Sequence, residues 1–235
     1  ALRLLDGIAD AVLSHDREIT FPQDDSVVVF TPKFQRKILL RRARGFAPSV
    51  DLPEDRLPQN TLGMGAEMKS AFAFTANGNT FLSQFLGDTE NYEAQVSYEH
   101  TLDNLIDLIQ PEISAVAVDA HPNYFATQKG KEWAAAHNAK VHKVQHHKAH
   151  FAAVLTEHDL LSQKEPVLGV IWDGLGYGED ENMWGSEFFV FEENRMKRIH
   201  HLSNFPVISG NRMAYEPSMA TFAAMWPDSP GKVWM

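Results

Sequence analysis

The chain of 235 residues is 44% hydrophobic and 22% charged, carries a formal net charge of -10 and contains no Cys. That length supports one or two domains with a sizeable core, and the missing Cys excludes disulfides, thiolate metal sites and a Cys nucleophile, leaving His, Asp and Glu as metal ligands. The acidic balance argues against nucleic-acid backbone binding, the apolar runs are too short for a membrane span, and no secretion signal opens the chain, so a soluble, cytoplasmic protein is expected.

Leu2, Leu4, Leu5, Ile8, Val12 and Leu13 recur mostly at helical spacing and predict a helix over residues 1–14. A pattern that starts at the first residue, and a last helix from Ser218 broken at Pro227 and Pro230, read as a piece of a longer protein or a shortened version of one. Short strands are predicted at 27–30 and 37–40, then a loop with Pro48, Pro53 and Pro58, with a domain boundary between 32 and 55. Three strands follow at 60–64, 70–75 and 80–86, the last two joined by Asn77-Gly78, a strong hairpin signal. Next come a helix over 89–109, a buried parallel strand at 113–118, a helix at 127–137, a strand at 141–145 and a helix at 147–158. After a polar linker at 162–166 the chain begins again, with a strand at 167–172, a Gly-rich acidic turn at 173–182, and strands at 185–191 and 198–202. Two such starts imply two related lobes facing a cleft, in the α/β class.

Five of eleven His residues fall between 142 and 158. His146 and His150 have i, i+4 spacing, which on a helix puts both imidazoles on one face, close enough to share a metal ion. His147 lies about 100° round the helix and should point elsewhere. Neutral imidazole suits Zn²⁺ or Fe²⁺, with carboxylates completing the site; the alternative is a solvated helix that is His-rich by chance.

Asp173 is the candidate third ligand, because it ends an apolar strand where ligands of α/β sheets usually bind. Gly174, Gly176 and Gly178 follow it, and such turns let backbone N–H groups approach an anion; an ordinary hairpin turn is the alternative. A second Gly-containing turn, Gly63-Met64-Gly65-Ala66-Glu67-Met68-Lys69, occupies the corresponding place in the first lobe. Lys69 can meet a phosphate as a point charge, although a surface Lys is commoner. Asp119 reads as a turn cap, and His121 as a substrate contact or a structural His. No Ser/His/Asp constellation and no complete nucleotide fingerprint is present.

Seven motifs in order resemble those of the hydrogenase-maturation carbamoyltransferase family, HypF. They are Arg41-Arg42-Ala43-Arg44-Gly45-Phe46-Ala47-Pro48, Gly65-Ala66-Glu67-Met68-Lys69, Gly87-Asp88-Thr89-Glu90-Asn91, Asp119-Ala120-His121-Pro122, Gln145-His146-His147-Lys148-Ala149-His150, Asp173-Gly174-Leu175-Gly176-Tyr177-Gly178 and Trp184-Gly185-Ser186-Glu187. The resemblance implies a two-lobed actin-like/hexokinase-like fold. Residues 1–35 are then the end of a YrdC-like domain, 36–165 the first lobe of the carbamoyltransferase domain and 166–235 the start of its second lobe.

The family makes carbamoyl-adenylate from carbamoyl phosphate and ATP, then passes the carbamoyl group to the C-terminal Cys of a partner maturation protein. The resemblance implies His146, His150 and Asp173 as ligands of a divalent metal, Zn or Fe, with a further Asp ligand beyond Met235. It implies Lys69, Gly174, Gly176, Gly178 and Gly210 as nucleotide contacts; the acidic charge and short apolar runs leave neither nucleic acid nor membrane as an expected partner. The chain departs from the family at Ser209-Gly210-Asn211, usually Gly-Gly-Asp, at Pro217-Ser218-Met219, usually Pro-Trp-Arg, and at Ser70, usually Asn. A degenerate non-catalytic paralogue and a related tRNA threonylcarbamoyl transferase are the alternative readings.

Overall fold

In the computed structural model, residues 6–17, 19–50, 60–204, 206–208 and 212–225 are described. The first elements are β1 (Val27–Phe30) and β2 (Lys37–Arg41), an antiparallel pair with largely exposed side chains. The helix expected over 1–14 does not form at residues 6–14, while residues 1–5 lie outside the described residues. A short amphipathic helix draws its stability from packing its apolar face, and here Ile8 and Leu13 are 79% and 102% exposed. Gly7, at φ +78°, also departs from helical backbone.

A six-stranded sheet carries the first half of the chain. Its strands are β3 (Ser49–Val50), β4 (Thr61–Gly63), β5 (Ala73–Ala76), β6 (Asn79–Leu82), β7 (Ala115–Asp119) and β8 (Lys140–Val144), in the order β3-β6-β5-β4-β7-β8. The β5–β6 hairpin turns on Asn77 and Gly78, both at positive φ, the backbone that Asn-Gly accepts and that matches strand twist. Bonds from Ser83 N–H to the Phe72 carbonyl and from Leu86 N–H to the Ser70 carbonyl extend this pairing past the strand ends. β7 pairs parallel with both β4 and β8, so helical crossovers must return the chain. They are α1 (Tyr92–Ile109), between β6 and β7, and α2 (Phe125–Ala136), between β7 and β8.

The core between helices and sheet holds Leu62, Met64, Phe72, Phe74, Tyr98, Leu102, Val116 and Val118, all at most 2% exposed. Tyr98 meets Phe72 and Phe125 edge-on, and its buried hydroxyl donates to the Met64 carbonyl at 2.7 Å. α2 approaches β7 closely because Gly130 has no side chain, and a Cβ there would fall 2.6 Å from Val118 and 2.7 Å from Met64.

The second unit begins after α3 (His146–Glu157). Its strands β9 (Val167–Tyr177), β10 (Met183–Glu192) and β11 (Arg195–His201) form an antiparallel sheet in the order β11-β10-β9. Phe151 and Leu155 of α3 pack with Ile171, Trp184, Phe189 and Phe191. The short helices α4 (Arg212–Tyr215) and α5 (Pro217–Met225) follow, joined through Val207, Met213 and Ala223.

The Gly-rich turn expected from Asp173 is corrected by this sheet: β9 continues to Tyr177, and the turn is confined to the residues between β9 and β10. Neither Gly174 nor Gly176 adopts positive φ, so nothing in their backbone ends the strand. The register instead shifts between Trp184, paired with Gly176, and Ser186, paired with Trp172. Residues 173–175 therefore stand opposite Gly185 alone, a bulge of the kind that re-aims side chains. No helix among the described residues is long and apolar enough to cross a membrane.

Gly130→Ala is expected to lower stability by about 1–3 kcal/mol through overpacking, read as a lower urea midpoint at unchanged slope; an unchanged midpoint would show that α2 does not need this close approach.

Candidate metal centre

Parallel pairing builds the site. Asp119, last in β7, stands opposite Val144, last in β8. One residue later Gln145 caps α3, its side-chain oxygen accepting from Lys148 N–H at 3.0 Å. The helix therefore starts at His146, directly beside Asp119, and His150 lies one turn on. From the other sheet the β9 bulge brings in Asp173.

His146 Nε2 lies 3.1 Å from Asp173 Oδ2 and 3.3 Å from His150 Nε2, and His150 Nε2 lies 3.6 Å from Asp173 Oδ2. Ligand atoms about 2.0–2.1 Å from a tetrahedral zinc are about 3.3 Å apart, so the three atoms have the spacing of ligands to one ion. Asp173 Oδ2 is buried and, despite the two nearby rings, receives no well-directed hydrogen bond. A cation held by all three atoms would satisfy it. Its other oxygen accepts from Gly174 N–H at 2.8 Å.

Charge is concentrated here. The His146 imidazole is pushed up to about 9 by its contact with Asp119 first and Asp173 second, against the opposing effect of burial. Burial pushes the Asp173 carboxyl up, but His146, His150 and the Gly174 N–H outweigh it and hold the group well below the usual carboxylate range.

His147, expected to point away, is fully buried beneath the pair, with Nε2 4.0 Å from Asp173 Oδ2 and Nδ1 3.0 Å from Gln145 Nε2. Burial lowers its pKa, against the charge of Asp173. Gly176 makes room for it, since a Cβ there would fall 2.5 Å from the His147 ring.

The structure thus brings His146, His150 and Asp173 together, with Gly174 and Gly176 against them. Lys69 sits on an exposed loop after β4, with its backbone N–H on Asp88 Oδ1 at 2.7 Å, and makes no hydrogen bond or ion pair with the cluster among the described residues. Gly178 N–H bonds the Asn182 carbonyl at 2.8 Å. With Gly174 N–H held by Asp173, these two amides are committed within the chain and do not form a free anion cradle. Gly210 lies outside the described residues.

Asp119, expected as a turn cap, has a second contact that the sequence did not suggest: it is only 7% exposed and has Oδ2 2.7 Å from His146 Nδ1. Its signal was its place at the C-terminal end of a strand whose parallel neighbour leads straight into the His helix. His121 stacks on Tyr124 at 4.1 Å with Tyr177 edge-on at 5.6 Å, and burial lowers its pKa against the charge of Asp119. Glu67 Oε2 accepts from Phe125 N–H at 3.1 Å, at the start of α2.

Comparison with known proteins gives one consistent result. Residues 56–157 match the HypF Kae1-like domain, and residues 169–232 match the carbamoyltransferase Kae1-like domain, second subdomain. The chain is 36% identical over 228 residues to carbamoyltransferase HypF of Synechocystis sp., covering 97% of this chain and 29% of that protein. It is 33% identical over 211 residues to a probable carbamoyltransferase HypF of Methanocaldococcus jannaschii, covering 89% of this chain and 27% of that one. Among solved structures, T. kodakarensis HypF superposes with a TM-score of 0.79 at 31% identity, covering 93% of this chain and 28% of that one. A full-length HypF in its phosphate- and nucleotide-bound form gives 0.73 at 34% identity, covering 86% and 30%. The chain spans less than a third of the length of each of these relatives.

In chelator-treated protein the His146 ring is expected to titrate near pH 9 rather than at its ordinary 6.5. A raised folded-state pKa means that the ring's contribution to stability is complete below about pH 6.5 and is lost as pH rises through about 9. A ¹⁵N NMR titration of the His rings checks this, and a His146 midpoint near 6.5 would contradict it.

Proposed function

We propose a function on the premise that this chain belongs to the HypF carbamoyltransferase family: it supplies the metal centre of carbamoyl transfer in [NiFe]-hydrogenase maturation. The observation that carries this reading is the convergence of His146, His150 and Asp173 at ligand spacing. Residues 36–165 and 166–235 are assigned to the first lobe of the transferase domain and the start of the second, with residues 1–35 ending a YrdC-like domain.

The donor in this reading is carbamoyl-adenylate, formed from carbamoyl phosphate and ATP, and the acceptor is the C-terminal Cys of a maturation partner. In the transfer the bond from the carbamoyl carbon to the adenylate phosphate oxygen breaks, an S–C bond forms, AMP leaves and the thiol proton is released. Among its 235 residues this chain has no Cys to serve as that acceptor.

His146, His150 and Asp173 would hold a Zn²⁺ or Fe²⁺, which when bound would supply Lewis acidity toward the carbamoyl group. The chain's own residues orient it. His146 and His150 hold one side of the centre from α3, Asp173 closes the other from β9, and Gly174 N–H steadies the carboxylate. The nucleotide phosphate is assigned to Lys69 and Gly210 on the family resemblance alone, since Gly176 makes room for the His147 ring and Gly178 N–H is held by the Asn182 carbonyl. The phosphate- and nucleotide-bound relative supports a nucleotide in this family's reaction.

Metal analysis tests the centre. The purified chain is expected to carry one Zn or Fe, and His146→Ala and Asp173→Asn each to lose it while keeping the native circular dichroism spectrum. In a chimera with this chain in place of the matching segment of the Synechocystis relative, His146→Ala should lower ATP-dependent carbamoyl transfer by about a hundredfold or more, the scale of several kcal/mol of charge stabilisation. A wild-type chain with no bound metal, or unchanged transfer in the variant, would overturn the reading.

A further inference from the structure

His146 is held on two sides, and the cation accounts for only one of them. Nδ1 lies 2.7 Å from Asp119 Oδ2. An ionised carboxylate only accepts, so Nδ1 carries the proton of this bond. Nε2 is then the nitrogen left with a lone pair when the ring is neutral, and Nε2 is the atom that faces His150 and Asp173. We propose that Asp119 is a positioning residue that fixes the tautomer and ring orientation in which His146 presents Nε2 to the divalent cation. This rests on the metal reading above and adds to it a residue that touches neither the ion nor the substrate.

Turn capping alone does not explain Asp119. Its Oδ1 already accepts from His121 N–H at 2.7 Å, which is the capping bond. Oδ2 is free of that duty and points across to α3. The backbone is pinned as well: the Asp119 carbonyl accepts from the Thr127 hydroxyl at 3.1 Å, and Ala120 N–H bonds the Val144 carbonyl at 2.9 Å. A carboxylate fixed at both oxygens and at its main chain cannot swing, so it can set the orientation of another group.

The contrast with His150 supports the assignment. His150 has a side chain 55% exposed, and among the described residues its ring contacts are His146 and Asp173. One ligand of the centre is therefore preset by a buried partner, and the other is free to adjust.

The experiment is zinc competition against a chromophoric chelator, with the full chain as wild type, Asp119→Asn and Asp119→Ala. Both variants are expected to bind zinc about 10–100-fold more weakly. Asp119→Asn, nearly isosteric, keeps the test valid if Asp119→Ala fails to fold. In parallel, ¹⁵N NMR of the zinc-loaded wild type should show the His146 proton on Nδ1 and the metal on Nε2, a signature that a purely structural Asp119 would not dictate. Wild-type affinity in a folded variant, or the reverse tautomer, overturns the positioning role and leaves the metal reading standing. A wild-type chain that binds no zinc overturns both.

Discussion

One imidazole stands between two carboxylates that come from different sheets. Asp119 reaches His146 from the end of β7, and Asp173 reaches it from the bulge in β9. The site depends on that bridge, because it ties the register of the six-stranded sheet to the irregularity of the three-stranded one. If β8 slid by one residue against β7, Val144 would leave its place opposite Asp119 and α3 would start a residue out of phase. With regular pairing through residues 173–175, alternation along β9 would govern the direction of Asp173 in place of the bulge.

Close packing is the condition for this arrangement. α3 lies on β9 over two glycines: a Cβ at Gly169 would fall 2.6 Å from the Phe151 ring, and one at Gly176 would fall 2.5 Å from His147. The absent side chains bring the His face of the helix down to the carboxylate. The same closeness concentrates charge. Without a cation, His146 keeps a proton and compensates the neighbouring carboxylates, which is why its pKa rises to about 9. A divalent ion bound at Nε2 would take over that compensation, so that metal and proton would compete for one nitrogen.

Features carried by local pattern were legible in the sequence. The i, i+4 spacing of His146 and His150, the Asn77-Gly78 turn and the alternation of apolar strands with helical segments each depend on a few neighbouring residues. The seven motifs led to the family for the same reason. What escaped depended on pairing across the fold. Asp119 does cap its turn, as the sequence suggests, but its meeting with His146 needs the β7–β8 register, and no local pattern encodes that register. Gly174 and Gly176 looked like a turn because glycine composition does not separate a reversal from a bulged strand. The apolar spacing predicts a helix that does not form at residues 6–14, since an apolar face folds only against something that covers it, and Ile8 and Leu13 are exposed.

In the proposed centre, two imidazoles from one helix and a carboxylate from the next sheet share a single cation. X-ray absorption spectroscopy of the zinc-loaded chain tests it most directly. The expected result is a first shell of nitrogen and oxygen near 2.0–2.1 Å with no sulfur, and outer-shell scattering from two imidazoles. A spectrum of fully hydrated zinc, or one lacking imidazole scattering, would contradict it.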